Sequence, residues 1–263
     1  MTIGAKTISK KLQLETMRPG LIKKLLLIAL PVLLLVCNSK SVDTTDEDKR
    51  FIQAFAQEWQ VDKPIDSIHA SFDNEVKFVA ATQKAVLASI RHEEVEHNVF
   101  GSMAFYYKKR KGFCYDRAVL MEKFFSHYGF SFRHVYLYFS EDGQEPSLIN
   151  LFKKNNPSHA LLELKTKKGW MAVGTNADWV GVTNQGHLLN VKTLGHALQL
   201  GELHLKYQPL TGQVFWKDKG REFGYVYGLY SRHGGFFKNT SNRMMSLFSI
   251  LPDYNLPSLL TNF

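Results

Sequence analysis

The stretch KGFCYDRAVLMEKFFSHYGF, Lys111 to Phe130, sets Cys114 directly after Gly112 and Phe113. The chain holds two cysteines, and the other, Cys37, lies in an apolar run near the N-terminus. Ala118, Met121 and Phe125 follow Cys114 at helical spacing, which predicts a helix from Cys114 to Tyr128 with one stripe facing a core. Gly129 ends it. A cysteine at such a position can be a packing residue, a disulfide partner, a metal ligand or a nucleophile.

Downstream, FRHVYLYF (Phe132 to Phe139) is rich in aromatic and β-branched residues and reads as a strand. Residues 140–157 form a long polar loop. His159 to Lys165 and Trp170 to Thr175 then read as a β-hairpin about a two-residue turn, Lys167–Lys168. That turn pairs residues whose numbers sum to 335, so His159 faces Asn176. A second short hairpin or turn is expected over Trp179 to Gly186 and a short helix over 193–201.

Upstream, Thr44 or Thr45 caps a helix whose apolar residues recur at 51, 52, 55 and 59. Glu75 to Asn98 reads as one long helix. Its end, RHEEVEHN, spaces His92 and His97 five apart, about 500° around a helix at roughly 100° per residue. The two do not share a face as zinc ligands at i and i+4 would, and the segment reads as a solvated charged face.

The composition is globular: 44% of the 263 residues are hydrophobic. The net charge of +9 is unevenly spread. Lys6, Lys10, Lys11, Arg18, Lys23 and Lys24 stand against Glu15 alone, so residues 1–24 carry more than half of it. The remainder is ordinary for a domain of this size and gives no reason to expect a nucleic-acid partner.

Leu25 to Cys37, LLLIALPVLLLVC, is 13 residues without a charge, preceded by two lysines. That is short of the ~20 residues of a spanning helix and within the span of a secretory h-region. Residues 1–40 are expected to be a signal peptide, with cleavage after Ser39, or else a membrane anchor or a lipoprotein segment lipidated at Cys37. A start at Met17 would give more usual signal-peptide proportions. The functional part, 42–263, is then exported and lies in the periplasm, outside the cell or on a membrane facing outward. In each case Cys114 keeps no disulfide partner there.

A helix N-terminus favours an anion, so the position is expected to lower the thiol pKa of Cys114. Its own N–H can face a developing oxyanion. A thiol nucleophile needs a base, and the base needs an orienting acceptor. His159, at a strand start after the long loop, is the candidate base among ten histidines. Asn176 is the candidate orienter, with Asp178 the charged alternative.

In this order, GFCYDRAVLMEKFFSHYGFSFRHVYLY and PSHALLELKTKKGWMAVGTNADW resemble the transglutaminase-like superfamily of cysteine hydrolases, bacterial exported type. Gly112, Cys114, Gly129, His159, Glu163, Gly169 and Trp170 carry the likeness over roughly residues 75–180. Residues 227–255 look like an extension found in bacterial members. The resemblance implies an α+β fold with a papain-like core, N-terminal helices on an antiparallel sheet. It implies thioester chemistry on a protein, peptide or cell-wall-type amide, as a cysteine protease or amidase if water accepts the acyl group and a transglutaminase if an amine does. No metal or organic cofactor is implied. One departure stands out: Gly174 occupies the position of the family's acid. A noncatalytic binding or scaffold domain on the same fold is the alternative, and a cytosolic arylamine N-acetyltransferase-like enzyme fits less well with the export segment.

Overall fold

The computed structural model describes residues 44–95, 101–140, 157–199, 223–228, 230–232 and 235–237. The expected export segment, the Met17 start, His97, the body of loop 140–157 and the chain from 238 onward lie outside these residues.

The first helix, α1 (Asp46–Glu58), begins where the sequence predicts. The Thr45 hydroxyl accepts from the Asp48 N–H, and the Asp48 carboxylate accepts from the Thr45 N–H. This reciprocal cap satisfies two amides that have no partner within the helix. Ile52, Phe55 and Ala56 form its buried stripe. A short α2 (Ile65–Ile68) leads into α3 (Phe72–Ser89), capped by the Ser71 hydroxyl.

α3 is shorter than its apolar periodicity suggests. The sequence pattern runs on to Asn98, yet Ile90 is already extended. The cause lies elsewhere in the chain. The Ile90 carbonyl accepts from both Nε and Nη2 of Arg117. Arg91 then bonds along the segment before Cys114: its N–H donates to the Arg110 carbonyl and its own carbonyl accepts from Gly112. A seven-residue helix, α4 (Met103–Lys109), follows, which the sequence reading passed over. It closes at Arg110, whose φ of 52° is left-handed.

α5 (Cys114–His127) is the central helix. Tyr115 through Phe125 are all buried, so it presents no solvated face. The single apolar stripe expected from the sequence is therefore only part of its packing. Gly129 turns the chain out with φ 82°, a value that favours glycine.

β1 (Phe132–Phe139), β2 (Ser158–Thr166), β3 (Gly169–Val173) and β4 (Phe223–Tyr227) form an antiparallel sheet in the order β3-β2-β1-β4. The hairpin register is the expected one: Thr166 pairs Gly169 and Leu162 pairs Val173. β5 (Tyr230–Arg232) and β6 (Gly235–Phe237) pair separately. Alternation along the strands divides the core. Leu162, Leu164, Met171 and Val173 pack with the residues of α1, α3, α4 and α5. Leu161, Val135, Leu137 and Ala172 pack with Trp179, Val191 and Leu194 on the opposite face. There α6 (Val191–Gln199) begins at Asn190, whose side chain accepts from the Thr193 N–H. The fold is α+β, with helices on an antiparallel sheet.

The charges buried on α5 each have a partner. Lys123 Nζ lies 2.7 Å from Asp48, whose other oxygen accepts from the Met103 N–H. Glu122 meets His134 Nδ1 at 2.6 Å and accepts from the Tyr230 hydroxyl at 2.9 Å. Removing one member of such a pair strands the others without water. Glu122→Ala should therefore lower unfolding free energy by about 3 kcal/mol, measured by urea denaturation, while Glu122→Gln, which keeps a hydrogen bond, should lose distinctly less.

Candidate active site

Cys114 stands at the first turn of α5 and is half-buried, with a free thiol. Asp116 braces that turn: its carboxylate accepts from the Phe113 N–H at 3.0 Å and from the Tyr106 hydroxyl at 3.2 Å. A Cβ on Gly112 would come within 2.5 Å of the Asp116 Cβ. Glycine is required there by this close approach, since its φ is not in the left-handed region.

The sulfur rests against β2. The main-chain amides of Ala160 and Tyr115 lie near enough to favour its charged form. β3 stops at Val173, opposite Leu162, so the next outward-pointing residue of β2 on that side, Ala160, has its N–H and C=O facing a gap. In an extended strand both groups point the same way. The N–H lies near Cys114, and the C=O accepts from the Thr175 hydroxyl. Ala160 is the residue directly after His159, so the strand brings the candidate thiol and the candidate base to one place.

His159 is buried, and its Nε2 lies 3.4 Å from Thr175 Oγ1. Burial, with His92 and the Arg117 guanidinium nearby, pushes its pKa down to about 3. The ring is therefore neutral throughout the neutral range. Burial likewise pushes the Cys114 thiol up. The Ala160 and Tyr115 amides and Arg117 pull the other way, and Asp116 adds to the rise. The expectation from a helix N-terminus alone, a lowered thiol pKa, does not hold here. The dipole effect is worth ~0.3–1 kcal/mol, and desolvation of the charged form outweighs it.

The loop after β3 carries the remaining residues. Arg117, one turn after Cys114, donates to the Thr175 carbonyl at 3.4 Å and to Asn176 Oδ1 at 3.3 Å, besides holding Ile90. The Asn176 side chain also lies near His92 and favours its protonation. Asn176, expected beside His159, is thus held by Arg117, and Thr175 meets the His159 ring instead. The register sum of 335 does not carry this far because the strand ends at Val173 and the chain turns. Asp178, the charged alternative, has a buried Oδ1 with no hydrogen-bond partner among the described residues. His92, read from sequence as part of a charged helical face, is exposed but packs its ring on Phe113, 4.9 Å between centroids, at the edge of the site.

Gly174 has a physical cause. A Cβ there would lie 2.4 Å from the Trp179 indole nitrogen and 2.7 Å from the Ala177 carbonyl. The buried indole fills the space an acid at this position would need. Gln83, from α3, donates to the Gly174, Ala177 and Trp179 carbonyls and pins the loop. Glu163, matched in the resemblance, is structural: fully buried, it pairs with Arg133 and accepts from the Val191 N–H. Trp170 covers the Arg133 guanidinium, 4.0 Å from its ring centroid. Among the described residues no group of three or more His, Cys, Asp or Glu could hold a metal ion. Nor is any helix among them long and apolar enough to cross a membrane.

In comparisons with models of known protein families, with curated proteins and with solved structures, this chain has no match.

A thiol raised by burial reacts as the thiolate only at high pH. The iodoacetamide alkylation rate of Cys114 should still be climbing above pH 9, its ordinary value; a plateau reached below pH 7 would mean a preformed thiolate. For His159, the unfolded chain takes up a proton near its ordinary value of 6.5 and the folded one only near 3. Its contribution to stability is whole above pH 6.5 and is lost as pH falls toward 3, by at most ~1.4 kcal/mol per unit. Denaturation midpoints should fall more steeply between pH 6.5 and 4 in the wild type than in His159→Gln.

Proposed function

We propose that this chain is an exported, thiol-dependent acyl-transfer enzyme with a papain-like, transglutaminase-type core. The observation that supports it best is the packing of Cys114, at the head of α5, against the cluster that holds Ala160, one residue from a buried, neutral His159. A neutral thiol beside a neutral imidazole suits general-base attack. As Sγ bonds to the carbonyl carbon of an amide, its proton passes to His159. The carbonyl becomes an oxyanion, and the N–H of Cys114 itself, at the start of α5, is its donor. The C–N bond then breaks, and the leaving amine takes the proton from the imidazolium. Water or a second amine attacks the thioester with His159 again the base, and Sγ–H is restored. The substrate is a protein, peptide or cell-wall-type amide, met outside the cytoplasm.

A second reading, a noncatalytic binding or scaffold domain on the same fold, draws on Gly174, where Trp179 takes the space of the family's acid.

Incubation with an activated aryl ester should leave an acyl adduct on Cys114, mapped by peptide mass spectrometry. Cys114→Ala should abolish it. His159→Ala should slow acylation by on the order of 10²-fold. Acylation that appears only after denaturation, or one indifferent to His159, favours the noncatalytic reading.

A further inference from the structure

We propose that Thr175 is the positioning residue that sets the tautomer of His159, in the role the sequence reading assigned to Asn176 or Asp178. The inference rests on the proposed acyl-transfer chemistry for its use, though not for its geometry. The threonine hydroxyl has a single hydrogen. It lies close to the Ala160 carbonyl, which can only accept, so that hydrogen is committed there. Toward His159 Nε2 the oxygen can then only accept. Nε2 must therefore carry the ring proton, which leaves Nδ1 as the nitrogen able to take one from a thiol. A neutral histidine has one donor and one acceptor nitrogen, and which is which follows from the partner of one of them.

Two further contacts and the stiffness of its own side chain hold Thr175 in place. Its carbonyl accepts from Arg117. The neighbouring Gly174 carbonyl accepts from Gln83. The β-branched side chain is restricted at χ1 and is fully buried. Ala160 closes the circuit, for the cluster that packs on Cys114 contains it and its C=O accepts from Thr175. The orienter is thus tied through one strand residue to the nucleophile it serves. The 3.4 Å separation is long for a hydrogen bond, so the contact orients the ring more than it binds it.

The test is the ring ¹⁵N spectrum of full-length protein labelled at histidine, with His159 assigned by difference from His159→Gln. Wild type and Thr175→Ser should both show Nε2–H. Thr175→Val, which removes the hydroxyl, should show Nδ1–H or a mixture, and should lower kcat for the aryl ester by on the order of 10²-fold with little change in KM. Wild-type protein in the Nδ1–H form, or Thr175→Val with spectrum and kcat unchanged, overturns the assignment. Should Thr175→Val fail to fold, Thr175→Ala, which also removes the hydroxyl, takes its place with the same expected and contrary outcomes. A wild type that forms no acyl adduct defeats the enzyme reading, while the spectrum still decides the role of Thr175.

Discussion

The domain depends on burying one helix, α5, on all sides. Asp116, Arg117, Glu122 and Lys123 go into the core with it. Each of these charges would be expensive without a partner, and each partner belongs to a different part of the chain. Asp116 holds its own entry turn and Tyr106 of α4. Arg117 holds the end of α3 and the loop after β3. Glu122 holds β1 through His134 and the C-terminal segment through Tyr230. Lys123 holds α1 through Asp48. Cys114 rides at the head of this helix, so its position is set by the whole set of partners.

The same constraint shapes the electrostatics of the site. Packing that fixes Cys114 and His159 also strips them of water, and both are driven toward their neutral forms. Arg117 contributes twice, as a brace for Thr175 and Asn176 and as a positive charge that opposes protonation of His159 while favouring ionisation of Cys114. At rest the two groups are therefore a neutral thiol and a neutral imidazole, not an ion pair.

Much of the scaffold could be read from residue pattern because its causes are local. Thr44 or Thr45 before a run of acids marks a helix start, and the structure chooses Thr45, with Asp48 as its reciprocal partner. Lys167–Lys168 with Gly169 fixes the hairpin, and the register of β2 and β3 follows. Gly129 marks the end of α5. What pattern could not give was decided by distant contacts. Nothing near Ser89 in sequence says that Arg117 will capture the next carbonyl and end α3 there. Periodicity therefore ran too far and left His92 on a helix it does not belong to. Asn176 follows from extending the hairpin, but Trp179 and Gln83 turn the chain before that register is reached, and Thr175 arrives at His159. The one available signal was Gly174, a residue without a side chain at the strand's end, where a sharp turn is feasible.

α5 sets Cys114 beside the strand that carries His159. The direct measurement is cross-linking of the native chain with 1,3-dibromoacetone, whose two reactive carbons flank a single carbonyl, followed by peptide mapping. The account predicts one bridge, joining the Cys114 and His159 peptides. Cys114 alkylated without a bridge, or bridged to His92 instead, would contradict it.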